Sequence, residues 1–231
     1  MCGRFVRSFT VEELIEEMNV AVPSVTVLNH LSDVLEPNFN LPPTLQIPVV
    51  TTDGRHLVIE EVRWGFDVGN ASRLVINARA ESVTEKPMFR GLLKAHRCAV
   101  PMEGFYEWQR QGTHKIPFYV HREDHQRMWV AGLWRQLSDG TKQVVLLTHE
   151  AEGVLSNVHH RSPCQLSLED AVDWTVDDPP HFEMLSPSAG PALELHRVSS
   201  NVNSIRNNDA SLLQHVDGDD GGQELQLGLF D

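Results

Sequence analysis

The chain has 231 residues, a formal charge of −13 at pH 7 and 41% hydrophobic residues. This composition is typical of a globular domain, and its acidity excludes nucleic-acid binding through overall charge, so any such contact must depend on a local cluster of Arg residues. No apolar stretch approaches the ~20 residues of a membrane helix, and no secretory signal is found at the N-terminus. Three cysteines without metal-type spacing favour a reduced cytoplasmic protein, and we expect neither a metal nor a cofactor.

The N-terminal half combines short predicted strands with one well-capped helix. Residues 1–7 are predicted to form a strand, and Thr10 with Glu13 forms a capping box that predicts a helix through Met18. Residues 21–44 are predicted to be loop. The alternation and turn signals then predict strands at 46–51, 56–66 and 74–78, followed by a helix at 87–96.

The C-terminal half is dominated by short β-type runs that are separated by glycines and polar turns. Antiparallel meanders are therefore expected. Helical segments are predicted at 150–158 and at 168–176, the second with Ser167 as N-cap. The predicted strands of this half cover 98–102, 105–109, 117–121, 128–134, 143–148 and 193–199.

These elements predict an α+β fold, a single domain of mostly antiparallel β-sheet with peripheral helices. The domain is expected to cover residues 1–208. Residues 209–231 contain six acidic residues and no Lys or Arg, which predicts a flexible acidic tail.

The first residues of the chain contain a candidate nucleophile, Cys2. A side chain as small as Cys at this position permits removal of Met1, which would leave an α-amine and a thiol on adjacent carbons. An amine condenses with an aldehyde to an imine, and the neighbouring thiol can then close a thiazolidine ring, with an intramolecular advantage on the order of 10⁵ M or more. The alternative is that Cys2 is simply a buried residue of the first strand.

Four further residues could take part in such chemistry. Asn77 and Arg79 follow a predicted strand, where an amide and a guanidinium could bind a sugar-phosphate or could merely cap the strand end. Glu107 lies between two aromatic residues, and burial would raise its pKa towards the range useful for proton transfer; it could instead face solvent. His159 could relay protons near neutral pH or could be structural.

Seven motifs, in this order and approximate spacing, resemble the SOS response-associated peptidase (SRAP) family over residues 2–208. Each motif is weak alone, whereas the ordered set is specific. The motifs are Cys2-Gly3-Arg4-Phe5, Phe39-Asn40-Leu41-Pro42-Pro43-Thr44, Trp64-Gly65, Ile76-Asn77-Ala78-Arg79-Ala80-Glu81, Gly104-Phe105-Tyr106-Glu107-Trp108, His159-His160-Arg161-Ser162-Pro163 and Val198-Ser199…Val202-Asn203.

The resemblance implies a barrel-like fold and a lyase-like enzyme that shields abasic sites in single-stranded DNA by a covalent link. By resemblance, Cys2 is the crosslinking nucleophile, Asn77 holds the abasic residue, Glu107 moves protons, and His159 assists opening of the sugar ring. The family is also associated with an autoproteolytic peptidase activity that releases Met1. The residues that resemble the lining of the DNA channel are Arg4, Pro43, Arg79, Trp108, Thr148 and Arg161.

The end of the tail contains a second resemblance. Gln226, Leu227, Leu229 and Phe230 match the peptide by which bacterial proteins dock on the replicative sliding clamp. An apolar cluster on a solvated linker requires a partner surface, so the clamp is a predicted partner. The alternative is that these side chains pack back on the domain.

Two other functions compete with the abasic-site reading. Class II glutamine amidotransferases also begin with Cys-Gly after loss of Met, and in those enzymes the α-amine acts as base for the thiol. Such an N-terminal-nucleophile amidohydrolase would release ammonia from glutamine. A noncatalytic adapter bound to the clamp would instead keep its function without Cys2.

Overall fold

The computed structural model describes residues 2–23, 26–31, 35–69 and 73–217. The predicted clamp-binding peptide at 226–230 lies outside the described residues. Within the described ranges, no helix is both long enough and apolar enough to cross a bilayer.

The described chain is mostly β-sheet, with few helices. The α-helices are α1 (Val11–Ala21), α2 (Pro87–Arg90) and α3 (Leu168–Val176). The strands are β1 (Phe5–Arg7), β2 (Val27–Asn29), β3 (Asn38–Leu41), β4 (Gln46–Thr52), β5 (Leu57–Trp64), β6 (Phe66–Val68), β7 (Arg73–Val75), β8 (Asn77–Arg79), β9 (Arg97–Met102), β10 (Gly104–Gln111), β11 (His114–Arg122), β12 (Met128–Gln136), β13 (Lys142–Glu150), β14 (Arg161–Pro163), β15 (Gln165–Leu166) and β16 (Leu193–Arg197).

Two large sheets form the domain. The five-stranded sheet has the order β16-β11-β10-β1-β3, and the nine-stranded sheet has the path β14-β13-β12-β9-β4-β5-β2, with β8 and β15 attached beside it. Strand β13 also pairs with β5 in parallel. Strands β13, β12, β9, β4 and β5 therefore form a circuit of pairings, in agreement with the predicted α+β, barrel-like fold.

The nine-stranded sheet is buried on both faces because its central strands are apolar at nearly every position. On β12, Ala131 packs in the cluster that contains α1 and α3, whereas Val130 packs in the cluster that contains Phe5 and Phe105 of the other sheet. Successive side chains of a strand point to opposite faces. Cys2 belongs to this second cluster, between the two sheets.

The helix caps predicted from the sequence are confirmed. The side chain of Thr10 accepts a hydrogen bond from the backbone of Glu13, and the Glu13 side chain accepts from the backbone of Thr10. Ser167 accepts from the backbone of Asp170 at the start of α3. Each cap satisfies a donor that the first turn of a helix leaves unpaired, so the local sequence suffices to place it.

Several predicted elements differ from the structure in type or in bounds. Residues 21–44, predicted as loop, contain β2 and β3, whose partners are β5 and β1. The predicted strand at 74–78 is two strands, one pairing β6 and the other β13. The predicted helix at 87–96 ends at Arg90, and turns occupy residues 91–95. The segment at 150–158 is a short 3₁₀ helix over Gly153–Asn157.

The predicted antiparallel pairing is observed, as in β10 with β11 and β12 with β13, but the runs are divided between two sheets because the chain changes sheets at Gly104. Strand β9 pairs with β12, whereas β10 pairs with β1 and β11 in the other sheet. A Cβ atom on Gly104 would lie 2.5 Å from the backbone oxygen of Val120 and 2.6 Å from the Tyr119 hydroxyl. Glycine is therefore required for the close approach that begins the hairpin.

The start of the predicted acidic tail packs on the domain. Residues Ala210–Leu213 form a 3₁₀ helix, and Leu212 is buried against Tyr106, Val198 and Val202. The residues beyond Asp217 lie outside the described part of the chain.

Candidate functional site

The N-terminal segment lies along β10 and places Cys2 beside the predicted acid. Phe5 is paired with Phe105, and the Tyr106 backbone amide donates to the Arg4 carbonyl at 2.9 Å. This antiparallel register directs the residues before Phe5 towards those after Tyr106. Cys2 is fully buried there, and the charge of Glu107 is close enough to affect the Cys2 thiol.

Asn77 reaches the same point from the other sheet. It opens β8, which pairs in parallel with β13, and its Nδ2 donates to the Cys2 carbonyl at 2.9 Å. The indole of Trp64 donates to the Ile76 carbonyl at 3.1 Å, which holds the preceding backbone. The Oδ1 atom of Asn77 is buried and has no hydrogen-bond partner among the described residues. It is therefore available to accept a hydrogen bond from a ligand.

Glu107 and His159 complete the cluster. The His159 Nδ1 atom lies 3.9 Å from Glu107 Oε1, and the Glu107 side chain is only 4% exposed. Burial raises the pKa of Glu107 above its usual value, because the charged form of a carboxyl is poorly solvated there. The buried alternative predicted for Glu107 is the one observed.

The hydrogen bonds of His159 define its tautomer. The Arg161 backbone amide donates to His159 Nδ1 at 3.0 Å, whereas the Arg161 carbonyl is farther from that atom, at 3.4 Å, so we assign the hydrogen to Nε2. Burial lowers the pKa of His159 to about 4. At neutral pH the ring is thus a neutral group that donates through Nε2.

We expect nuclear magnetic resonance of ring-labelled protein to report this state. His159 should be the neutral Nε2–H tautomer at pH 6, with a titration midpoint near 4 because burial disfavours the imidazolium. Its exposed neighbour His160 provides the comparison within the same spectrum. A midpoint for His159 near the ordinary value of about 6.5 would contradict this assignment.

The Cys2 thiol is protonated at neutral pH. Burial and then the nearby charge of Glu107 raise its pKa well above the ordinary range. Because the thiolate is the better nucleophile, the thiol needs a proton acceptor during reaction. Cys98 and Cys164 are also buried and burial raises their pKa values, so Cys2 is distinguished from them by its place at the chain start beside Asn77 and Glu107 and not by its acidity.

Two of the residues predicted to line a DNA channel lie on the other face of β10. Trp108 alternates with Glu107, and its indole donates to Asn203 Oδ1 at 2.7 Å. Arg4 donates to Asn40 Oδ1 at 2.6 Å and to the Val202 carbonyl at 3.1 Å. Both therefore contact the loop at 199–208 rather than the cluster around Cys2.

That loop is fixed by a residue to which the sequence analysis gave no role. Asn40 is buried, and its Nδ2 lies 2.9–3.2 Å from the carbonyl oxygens of Val202, Ser204 and Asn207. The sequence signal of this contact was the place of Asn40 in the Phe39–Thr44 motif. Asn40 thus positions both Arg4 and the loop.

The other predicted channel residues differ in accessibility. Arg79 is exposed at the end of β8, whereas Thr148 and Arg161 are buried. The Arg161 guanidinium binds both carboxylate oxygens of Glu81, at 2.7 and 2.9 Å, and also the Thr148 carbonyl. This ion pair lowers the pKa of Glu81 to about 2. A phosphate at Arg161 would have to compete with Glu81.

Pro43 is half-buried and lies two residues beyond Leu41, which is paired with Phe5. It is therefore at the same end of the sheet as Cys2. The site accordingly has the reacting cluster of Cys2, Asn77, Glu107 and His159 at its centre, with Arg79 on one side and Trp108 on the other.

The chain is similar to known proteins over most of its length. A model of the SOS response associated peptidase (SRAP) family matches residues 1–205. The Bacillus subtilis protein named abasic site processing protein YoaM is 30% identical over 92% of this chain and 97% of its own length. The Escherichia coli protein named abasic site processing protein YedK is 28% identical over 94% of this chain and 100% of its own length.

A crystal structure of a protein from Bacteroides thetaiotaomicron superposes with a TM-score of 0.74. It has 19% sequence identity and covers 93% of this chain and 100% of its own. At this identity the likeness shows a shared fold.

Proposed function

The chain belongs to the SOS response associated peptidase (SRAP) family, and we propose that it processes abasic sites in single-stranded DNA through a covalent thiazolidine link to Cys2. The observation that supports this most directly is the buried cluster itself. A thiol, an amide, a carboxyl of raised pKa and a neutral imidazole meet around one residue near the chain start. The relatives named abasic site processing proteins favour the same substrate.

The proposed reaction needs no cofactor. After loss of Met1, the Cys2 amine attacks the aldehyde carbon of the ring-opened deoxyribose, and the carbonyl oxygen gains a proton. Loss of that oxygen as water gives an imine. The Cys2 sulfur then bonds to the same carbon, the C=N electron pair returns to nitrogen, and the thiol proton is transferred to that nitrogen. One water leaves overall, and no electrons are exchanged.

Each side chain of the cluster has a step that suits its chemistry. Glu107, with its raised pKa, donates the proton that makes the departing oxygen a water molecule, and its carboxylate then accepts the thiol proton. His159 donates from Nε2 to the sugar-ring oxygen as the ring opens. The unpaired Oδ1 of Asn77 accepts a hydrogen bond from a sugar hydroxyl while Nδ2 holds the Cys2 backbone.

We also propose that the protein releases its own Met1 by hydrolysis of the Met1–Cys2 peptide bond. Without this step the Cys2 nitrogen is an amide, which is a poor nucleophile. We infer that Glu107 and His159, the acid and the imidazole of the cluster beside Cys2, also serve this hydrolysis. The activity is thus autoproteolytic first and lyase-like afterwards.

The DNA would cross the site from Arg79 to Trp108, with the abasic residue over Cys2. Arg79 is exposed and can contact phosphate directly, whereas Arg4, Pro43, Thr148 and Arg161 would shape or support the channel. The tail peptide would bind the sliding clamp and bring the protein to replicating DNA in the nucleoid.

Denaturing electrophoresis tests the function. Protein mixed with single-stranded DNA that has one abasic site should give a slower, heat-stable band, and intact DNA should not. The glutamine amidotransferase reading predicts ammonia release from glutamine and no such band. Protein that still contains Met1 should also give no band. Absence of the band with mature protein would overturn the proposal.

A further inference from the structure

The hairpin formed by β10 and β11 contains no acidic residue after Glu107, although the protein as a whole is acidic. The chain has a net charge of −13, yet residues 108–122 contain no Asp or Glu. The hairpin carries Arg110 and Lys115, which are directly paired across the two strands. Paired residues of neighbouring strands share a face, so both cations project from the same side.

That side also has an open cavity. The cavity has a volume of about 420 Å³ and is lined by Trp108, Lys115 and Asn203. The hydrogen bond of 2.7 Å from the Trp108 indole to Asn203 fixes the ring at its wall. Asn203 itself lies in the loop that Asn40 holds in place. The cavity thus has a rigid aromatic wall and a rigid polar wall.

Lys115 is the cation at this cavity. It is exposed, and within the described residues neither Lys115 nor Arg110 forms an ion pair or a side-chain hydrogen bond. By contrast, Arg161 is already paired with Glu81, and Arg4 with Asn40. An unpaired ammonium beside an aromatic ring suits a nucleotide, whose phosphate binds the cation and whose base stacks on the ring.

The cavity lies apart from the reacting atoms. Trp108 and Glu107 are consecutive strand residues and therefore point to opposite faces of β10. The loop at 199–208 covers the Trp108 face, whereas His159 lies on the Glu107 face. A strand crosslinked at Cys2 would reach the cavity only by its flanking nucleotides.

We propose that this cavity is a subsite for a nucleotide on one side of the abasic residue, with Lys115 as its phosphate contact. The inference rests on the proposed function for the identity of the DNA. Arg110 extends the same cationic edge and binds the next phosphate along. The subsite fixes the direction in which the DNA leaves Cys2, since only one flank of the strand can enter it.

The test uses DNA that binds but cannot react. Single-stranded DNA with a tetrahydrofuran abasic analogue lacks the aldehyde, so fluorescence anisotropy reports affinity alone. In Lys115→Gln the dissociation constant should rise about threefold to tenfold at low salt. The slope of log affinity against log salt should shrink by about 0.7, the value for one phosphate on a single strand. In Arg110→Gln we expect the same two changes, a higher dissociation constant and a smaller salt slope.

Lys94→Gln is the matched control, because Lys94 is also exposed and its side chain has no described partner. It should leave the affinity and the salt slope unchanged. Oligonucleotides with a flank only 5′ or only 3′ of the analogue should show the Lys115 effect with one flank and not the other. The subsite would be overturned if Lys115→Gln had the same affinity and salt slope as the unsubstituted protein. It would also be overturned if the Lys115 effect were equal with both flanks. Failure of the unsubstituted protein to crosslink a true abasic site would instead overturn the function.

Discussion

Replacing Cys2 with Ala should abolish the heat-stable adduct with abasic DNA while leaving the protein folded. Alanine keeps the α-amine, because it too permits removal of Met1, but it removes the sulfur. The variant can therefore form the imine and cannot close the ring. Since an imine is hydrolysed back to amine and aldehyde, no band should survive denaturation.

A reducing agent should separate the two nucleophiles. Borohydride adds hydride to an imine carbon and makes the link permanent, so it should restore a band to Cys2→Ala. A thiol added at millimolar concentration should not, because the adjacent sulfur of Cys2 has an effective concentration on the order of 10⁵ M or more. The loss without borohydride should exceed about a hundredfold in adduct yield.

Cys164→Ala is the matched control for this experiment. Cys164 is also a buried free thiol, near the carbonyl of Leu185 and outside the cluster around Cys2. It should leave adduct yield unchanged. Full yield of heat-stable adduct in Cys2→Ala would refute the thiazolidine.

The local features of this protein could be predicted from sequence, since they depend on neighbouring residues. The caps of α1 and α3 follow from Thr10 and Ser167, and the ordered motifs gave the family. The buried state of Glu107 was only one of two alternatives, because a Glu between aromatics can face either way. It is settled by the residues that cover that face of β10, among them His159, which lies far from Glu107 in sequence.

The relations between distant residues could not be predicted. Asn77 and Cys2 meet because β8 joins β13 while β1 joins β10, and no local pattern fixes either pairing. The ion pair of Arg161 with Glu81 could not be predicted either, because the two residues belong to different motifs that are far apart in the sequence. The sequence signal for Lys115 was weak. Residues 108–122 contain no acid, but this stretch indicates a nucleotide subsite only when the cavity beside Lys115 is known.

Replacing Glu107 with Gln should slow adduct formation by about a hundredfold or more, the usual contribution of a positioned general acid–base group. Gln has the shape of Glu but can neither donate a carboxyl proton nor accept one from the thiol. The measurement is the first-order rate of adduct formation with excess protein. Eventual yield should change less than rate, because the amine and sulfur remain.

The pH profile should identify Glu107 as the group concerned. Burial raises the pKa of Glu107, so it keeps its proton to a higher pH than a surface carboxyl. As pH rises, the acid form of Glu107 is lost while the neutral α-amine, with a reference pKa of about 7.7–8.0, is gained. The rate of adduct formation by the unsubstituted protein, plotted against pH, should therefore bend at the pH where Glu107 loses its proton. The Glu107→Gln profile should only rise, through the amine.

Glu103→Gln provides a close control, because burial also raises the pKa of Glu103. Its carboxylate accepts from the Ser8 amide at 3.0 Å and lies 3.9 Å from Arg127, so it is bonded away from Cys2. We expect this variant to keep both the rate and the bend. If Glu103→Gln lost the rate and the bend as Glu107→Gln does, the effect would come from the loss of any buried carboxyl near β10. It would then not identify Glu107 as the proton-transfer group. Only a loss confined to Glu107→Gln supports proton transfer by the group that faces His159.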